Sequence, residues 1–257
     1  MEKFTIEREL GKGSFGKALL CKDEKQRHVV VKLIPKAGSD ADIALLRREN
    51  KIIKGLVHPN IVKYFDSFED NENIYIVMEY MSGGDLRQLL NRERLTEKQI
   101  VKILEQTLQA LCYLQLKGII HRDIKPDNIF LDRNLKVKIG DFGIAKNVNS
   151  TSSISMTGAM AVEYASPEMF LRMKYSFGTD IWSLGVVLYE MLTGKKPFDN
   201  PQLFILGQPT PMDESIEGTL REITFQMLTA DQNRRPDAET LISMLDREYA
   251  GKEEDEI

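Results

Sequence analysis

The chain has 257 residues, 42% of them apolar and 29% charged, with a net charge of −4 at neutral pH. That balance describes a globular chain with room for one large domain or two joined lobes, and it excludes the basic field that nucleic acid or an anionic membrane would demand. Two cysteines, Cys21 and Cys112, stand far apart in no metal spacing, and the charged start "MEKFTIEREL" lacks the apolar core of a signal peptide, so free thiols and a cytoplasmic setting are expected.

Taken in chain order, residues 4–23 hold two apolar runs joined by glycines, and "RHVVVKLIP" is a third run closed by Pro35. Three strands are predicted. "SDADIALLRRENKIIKGL" then places Ile43, Leu46, Ile52, Ile53 and Leu56 near helical spacing, with Ser39 or Asp40 as the cap. "IVKYFDSFEDNENIYIVMEY" predicts a hairpin turning at "EDNEN". After "MSGGDL", the stretch "LTEKQIVKILEQTLQALCYLQLKG" predicts a long amphipathic helix opened by Thr96 with Glu97 and stopped by Gly118. Short extended pieces follow at "NIFLD" and "KVKIGDFG", then a Ser/Thr-rich loop over about 147–159. The run "IWSLGVVLYEML", bounded by Asp180 and interrupted by Glu190, is too short to span a bilayer and predicts a buried helix. "SIEGTLREITFQML" and "DAETLISMLDREYA" predict the last helices, before an acidic tail over 250–257. The fold class is α+β: a small β-rich lobe over 1–78 with one main helix, a connector over 79–84, and a larger, mainly helical lobe over 85–249.

Three stretches carry chemistry. "GKGSFG" sets Gly11, Gly13 and Gly16, with Ser14 between them, amid two strands. A dinucleotide fingerprint needs a helix after its glycines, so that reading fails, and a loop folding its amides over phosphates or a plain hairpin remains. Lys32 in "VVVKLI" is a charge in an apolar strand, which calls for an anion or for an ammonium that reaches solvent. Asp123, Lys125 and Asn128 in "HRDIKPDN" lie close before Asp141 in "DFG". Oxygen ligands beside a lysine suit a hard cation and a phosphate.

In order along the chain, "GKGSFG", "VVVK", Glu49, "HRDIKPDN", "DFG", "SPE" and "DIWSLG" resemble the marks of the eukaryotic protein kinase family, over about residues 4–246. The resemblance implies a two-lobed kinase fold that uses ATP and Mg²⁺. It implies that Gly11, Gly13, Ser14 and Gly16 cover the phosphates, and that Lys32 holds them while paired with Glu49. Asp123 would accept the acceptor's proton and Lys125 would stabilise the transferring group, with Asn128 and Asp141 holding metal. Met78 resembles the gatekeeper, Glu79 to Met81 the hinge beside adenine, and Asp85 the ribose contact. Glu168 is expected to pair with Arg235, and Asp180 to brace the catalytic loop. Lys125, two residues after Asp123, and the lack of a proline-rich stretch before "SPE" resemble the Ser/Thr branch.

The closer likeness is to the NIMA-related (NEK) kinases, carried by "GKGSFGKALL", "HPNIVKYFDSFEDNENIYIVMEYMSGGDL" and "GDFGIAK". These relatives share an exchange of Ala18 and Val30 that conserves volume around the base. The likeness implies a protein substrate and cytoskeletal work. The Ser/Thr-rich stretch over 150–157 reads either as a flexible polar loop or as a site of autophosphorylation, with Arg122 to pair with the phosphate and Ser155 or Thr157 nearest the usual position. Two departures stand out. The segment over 199–217 is shorter than in relatives, and the threonine expected before "SPE" is replaced, whether the register falls on Met160-Ala161 or Gly158-Ala159. The alternative reading is a pseudokinase, a nucleotide-binding scaffold acting through its surface.

Overall fold

Alternating and apolar runs in the first eighty positions form five antiparallel strands in the computed structural model, which describes residues 1–13, 16–36, 47, 51–142, 146–147 and 163–250. They are β1 (Thr5–Gly13), β2 (Gly16–Lys22), β3 (His28–Pro35), β4 (Tyr64–Glu69) and β5 (Asn73–Glu79), in the order β1-β2-β3-β5-β4. Successive side chains of a strand point to opposite faces. Val29 and Val31 of β3 therefore pack with Cys21, Tyr75 and Val77, while Val30, Lys32 and Ile34 line a cleft. The hairpin between β4 and β5 turns where "EDNEN" predicts it, because the Asp70 carboxylate accepts the amides of Glu72 and Asn73. Of the helix expected from Ser39 or Asp40 onward, residues 37–46 and 48–50, Glu49 included, lie outside the described residues; residues 51–54 are helical.

The second half is helical around three small pairings. β6 (Gly84–Asp85) pairs with β8 (Ile129–Leu131), β8 with β9 (Val137–Ile139), and β7 (Ile119–Ile120) with β10 (Lys146–Asn147). The helices are α1 (Leu86–Arg92), α2 (Glu97–Leu116), α3 (Pro167–Phe170), α4 (Gly178–Thr193), α5 (Pro201–Leu206), α6 (Thr219–Met227) and α7 (Ala238–Tyr249). Thr96 caps α2 as predicted, but its partner in the capping box is Gln99 and not Glu97. Only the side chain three positions into the helix reaches back to the cap amide; Glu97 instead accepts the Tyr249 hydroxyl at 2.6 Å.

Helix α4 is buried from Thr179 to Met191, as an apolar run with no polar face must be. Gly185 makes this packing close: a Cβ there would lie 2.8 Å from the Cβ of Met227 on α6. Over 199–217 the chain forms α5, ends it at Gly207 (φ 62°), and runs without helix to Gly218 (φ 77°). That left-handed glycine starts α6 at Thr219, later than "SIEG" suggests. Among the described residues no helix is long and apolar enough to cross a membrane.

Candidate active site

A cleft of about 490 Å³ receives side chains from the sheet, the connector after β5, and the segments around β8 and β9. Its volume falls in the range of small-molecule sites. Lys32 projects into it from β3, and its Nζ lies 2.5 Å from Asp141 Oδ1. Of the two fates open to a lysine in an apolar strand, the ammonium takes the anion: its side chain is only 15% exposed. Asp141 follows β9 in the left-handed region, at φ 58°.

Asp123 sits on the turn after β7. The amides of His121 and Arg122 both donate to the buried Asp180 carboxylate at 2.8 Å, and Arg122 is held at φ 68°. A non-glycine residue in that region costs about 1–3 kcal/mol and persists only where its surroundings impose it. Here Asp180 imposes it from α4. Burial raises the Asp180 carboxyl above its ordinary range, against the opposing pull of His121 and the two amides. The His121 ring spans the gap to the neighbouring strand end. Its Nε2 donates to the Gly140 carbonyl at 3.0 Å, which leaves Nδ1 to accept the Asp123 amide at 3.3 Å.

Within this frame Asp123 Oδ2 accepts both Lys125 Nζ and Asn128 Nδ2 at 2.8 Å. Asn128 also donates to the Asp123 carbonyl, so its amide nitrogen is committed inward and its oxygen is the group left for a ligand. Asp123, Lys125, Asn128, Asp141 and Lys32 all line the one cleft. The arrangement offers an acceptor for a hydroxyl proton, two fixed cations for phosphate oxygens, and oxygen donors for a hard cation.

Residues 4–245 match the family described as protein kinase domain. The chain belongs to the protein kinase family. The kinase domain is 38% identical to serine/threonine-protein kinase Nek1 of Mus musculus, over 94% of this chain and 21% of that protein. It is 35% identical to serine/threonine-protein kinase Nek5 of Homo sapiens, over 94% of this chain and 36% of that protein. Serine/threonine-protein kinase 36 of Mus musculus is 36% identical over 91% of this chain and 18% of its own length. The chain thus spans well under half the length of each of these relatives.

The remaining residues singled out in the sequence fall as follows. Gly11, Gly16, Ala18, Val30, Met78, Glu79 and Met81 line the cleft. Ala18 lies opposite Lys32 in the β2–β3 register, and Val30 lies opposite Met78 in β3–β5. Gly13 pairs with Gly16 to close the first hairpin, while Ser14 and Glu49 lie outside the described residues. Asp85 lines the cleft too, but its oxygens already cap α1, accepting the Gln88 amide at 2.8 Å and the Gln88 side chain at 2.6 Å. Partial burial raises its carboxyl pKa. Glu168 and Arg235 form a two-pronged pair at 2.7 and 2.8 Å.

Two groups near the site were missed. Lys138 of β9 is buried with Nζ 3.1 Å from the Glu79 carboxylate, tying that strand to the connector. A lysine inside "KVKIG" carried the same signal as Lys32. The other is Glu190, whose place in an apolar helix was visible but whose partners were not.

Proposed function

We propose that this kinase domain transfers the terminal phosphoryl group of ATP to Ser or Thr hydroxyls of a protein. The observation that carries the reading is the convergence of Asp123, Lys125, Asn128, Asp141 and Lys32 on one cleft. The donor set fits Mg-ATP, since Asn128 and Asp141 offer hard oxygen ligands and Lys32 a cation for phosphates. Bound ATP supplies the activated phosphoryl group, and Mg²⁺ neutralises charge on it. Asp123 orients the acceptor hydroxyl and takes its proton, Lys125 offsets negative charge on the transferring group, and Asp180 keeps the catalytic turn in its strained shape. Similarity to Nek1 and Nek5 supports Ser and Thr over Tyr.

Purified protein given Mg²⁺, radiolabelled ATP and a generic protein acceptor should place label on Ser or Thr. A chelator in excess of the metal should abolish that transfer. ATP binding without any label on itself or on the acceptor would instead establish the scaffold reading.

Residues 143–145 and 148–162, which include the autophosphorylation candidates Ser155 and Thr157 and the position of the absent threonine, lie outside the described residues. Support for a phosphate there comes from Arg122, whose buried Nε has no hydrogen-bond partner among the described residues. The threonine hydroxyl of relatives is read as bridging the residues matching Asp123 and Lys125. Losing one such bond costs about 1.5–3 kcal/mol, roughly ten- to a hundredfold in rate. Either Ala161→Thr or Ala159→Thr should therefore raise turnover by about tenfold or more. If neither does, the missing threonine is not what limits the enzyme.

A further inference from the structure

Beside the catalytic turn, outside the groups assigned above, four charged side chains and one hydroxyl gather around a single carboxylate. Glu190 of α4 has a side chain only 10% exposed. Its Oε1 accepts Arg87 Nη1 at 2.7 Å and its Oε2 accepts Arg87 Nη2 at 3.2 Å, a forked pair. Lys196 Nζ and the Tyr164 hydroxyl complete the carboxylate at 2.9 and 2.7 Å. Burial would raise the Glu190 carboxyl, but the bonds from Arg87, Tyr164 and Lys196 together hold it below its ordinary range. Two further carboxylates stand at the margin: Asp127, 3.7 Å from Arg87 Nε, and Glu163, 3.4 Å from Lys196 Nζ. Both are more than half exposed.

The place of this cluster matters. Asp127 lines the cleft two residues after Lys125, and Arg87 directly follows the cleft residue Asp85 by two. The cluster therefore borders the segment that carries Asp123, to which an acceptor peptide has to present its hydroxyl. Three carboxylates at such a place would attract a basic side chain of the peptide, but the chain's own Arg87 and Lys196 already fill the position. A cation arriving there would meet two like charges at contact distance, while the two exposed carboxylates are screened by solvent.

We infer that Arg87 is a specificity determinant of the acceptor cleft: by occupying Glu190 it stands in for a substrate cation, and the cleft rejects Arg and Lys beside the phosphorylated residue. This rests on the protein-acceptor reading above. The test uses one Ser peptide in a neutral background, with a single Arg or Ala placed in turn at each position on either side. For the unaltered protein, Arg at one or more positions should lower kcat/KM about tenfold relative to Ala. Arg87→Gln should erase that ratio or invert it, and Arg87→Lys should preserve it. A purely structural cluster would change stability and leave the ratio alone.

The inference is overturned if the unaltered protein tolerates or prefers Arg everywhere, or if Arg87→Gln binds ATP yet keeps the ratio. Should Arg87→Gln fail to fold, the unaltered protein's panel and Arg87→Ala decide in the same way, the panel alone being sufficient to overturn it. Failure on every peptide, the neutral ones included, overturns the phosphotransferase reading and this one with it; failure of selectivity alone overturns only this one.

Discussion

Asp123→Asn is expected to lower phosphoryl transfer to a protein acceptor by about 10²- to 10⁴-fold, the contribution of a positioned general base, with ATP still bound and the fold intact. The asparagine keeps the shape of the side chain and removes its charge. Lys125 Nζ, 2.8 Å from Asp123 Oδ2 and 17% exposed at its side chain, then loses its anion. The Asn128 amide retains the Asp123 backbone carbonyl at 2.8 Å, so the turn itself should hold. Asp180 continues to accept the amides of His121 and Arg122, neither of which the change touches. Nothing on the nucleotide side of the cleft is altered either, since Lys32 pairs with Asp141 and not with Asp123. The check is label transfer at saturating ATP, run beside a fluorescent nucleotide titration of the same preparation. Transfer at the unaltered rate would remove Asp123 from its assigned role, and lost nucleotide binding would show that the change acts on the fold.

What could be read in the sequence follows from distance along the chain. Asp123, Lys125 and Asn128 fall within six residues, and Asp141 is close behind, so their chemistry shows as a string. The strands were legible because an apolar run closed by glycine or proline is a local signal, and the "EDNEN" turn because the Asp70 carboxylate takes its amide donors from near neighbours. Glu190 is the opposite case. Its interruption of an apolar helix signalled a need for partners, yet Arg87 lies 103 residues away and Tyr164 lies 26 away. Periodicity carries no information about such pairings. Lys138 and Glu79 likewise meet only because β9 and β5 end at the same cleft. The capping box shows a subtler limit, since Thr96 was identifiable but choosing Gln99 over Glu97 needed the exact count of positions into the helix. Glu168 and Arg235 could be paired in advance only through the likeness to kinases, and they do meet, 67 residues apart.

That pair should dominate the stability of the helical half. Arg235 and Glu168 have side chains 0% and 4% exposed, and Arg235 also donates to the carbonyls of Thr229, Gly178 and Ala230 while lying 4.9 Å over the Trp182 ring. Thr179 donates to the same glutamate at 2.8 Å. Glu168→Ala leaves a buried guanidinium without its anion, which costs about 3–5 kcal/mol. For a chain of this size that corresponds to a melting point lowered by roughly 6–20 °C. Burial pushes the Glu168 carboxyl up, but the Arg235 hydrogen bonds and charge outweigh it and the folded pKa ends below the ordinary value. A carboxylate depressed on folding contributes its stability above the unfolded value of about 4.3 and loses it as pH falls through the folded one. The deficit of Glu168→Ala should accordingly be full at neutral pH and shrink in acid, because the unaltered protein loses the same interaction there. Thermal melts of both proteins from neutral pH down through the carboxylate range would show the two curves converging. A constant gap, or a neutral-pH deficit under about 1 kcal/mol, would mean that the three backbone carbonyls rather than Glu168 carry the guanidinium.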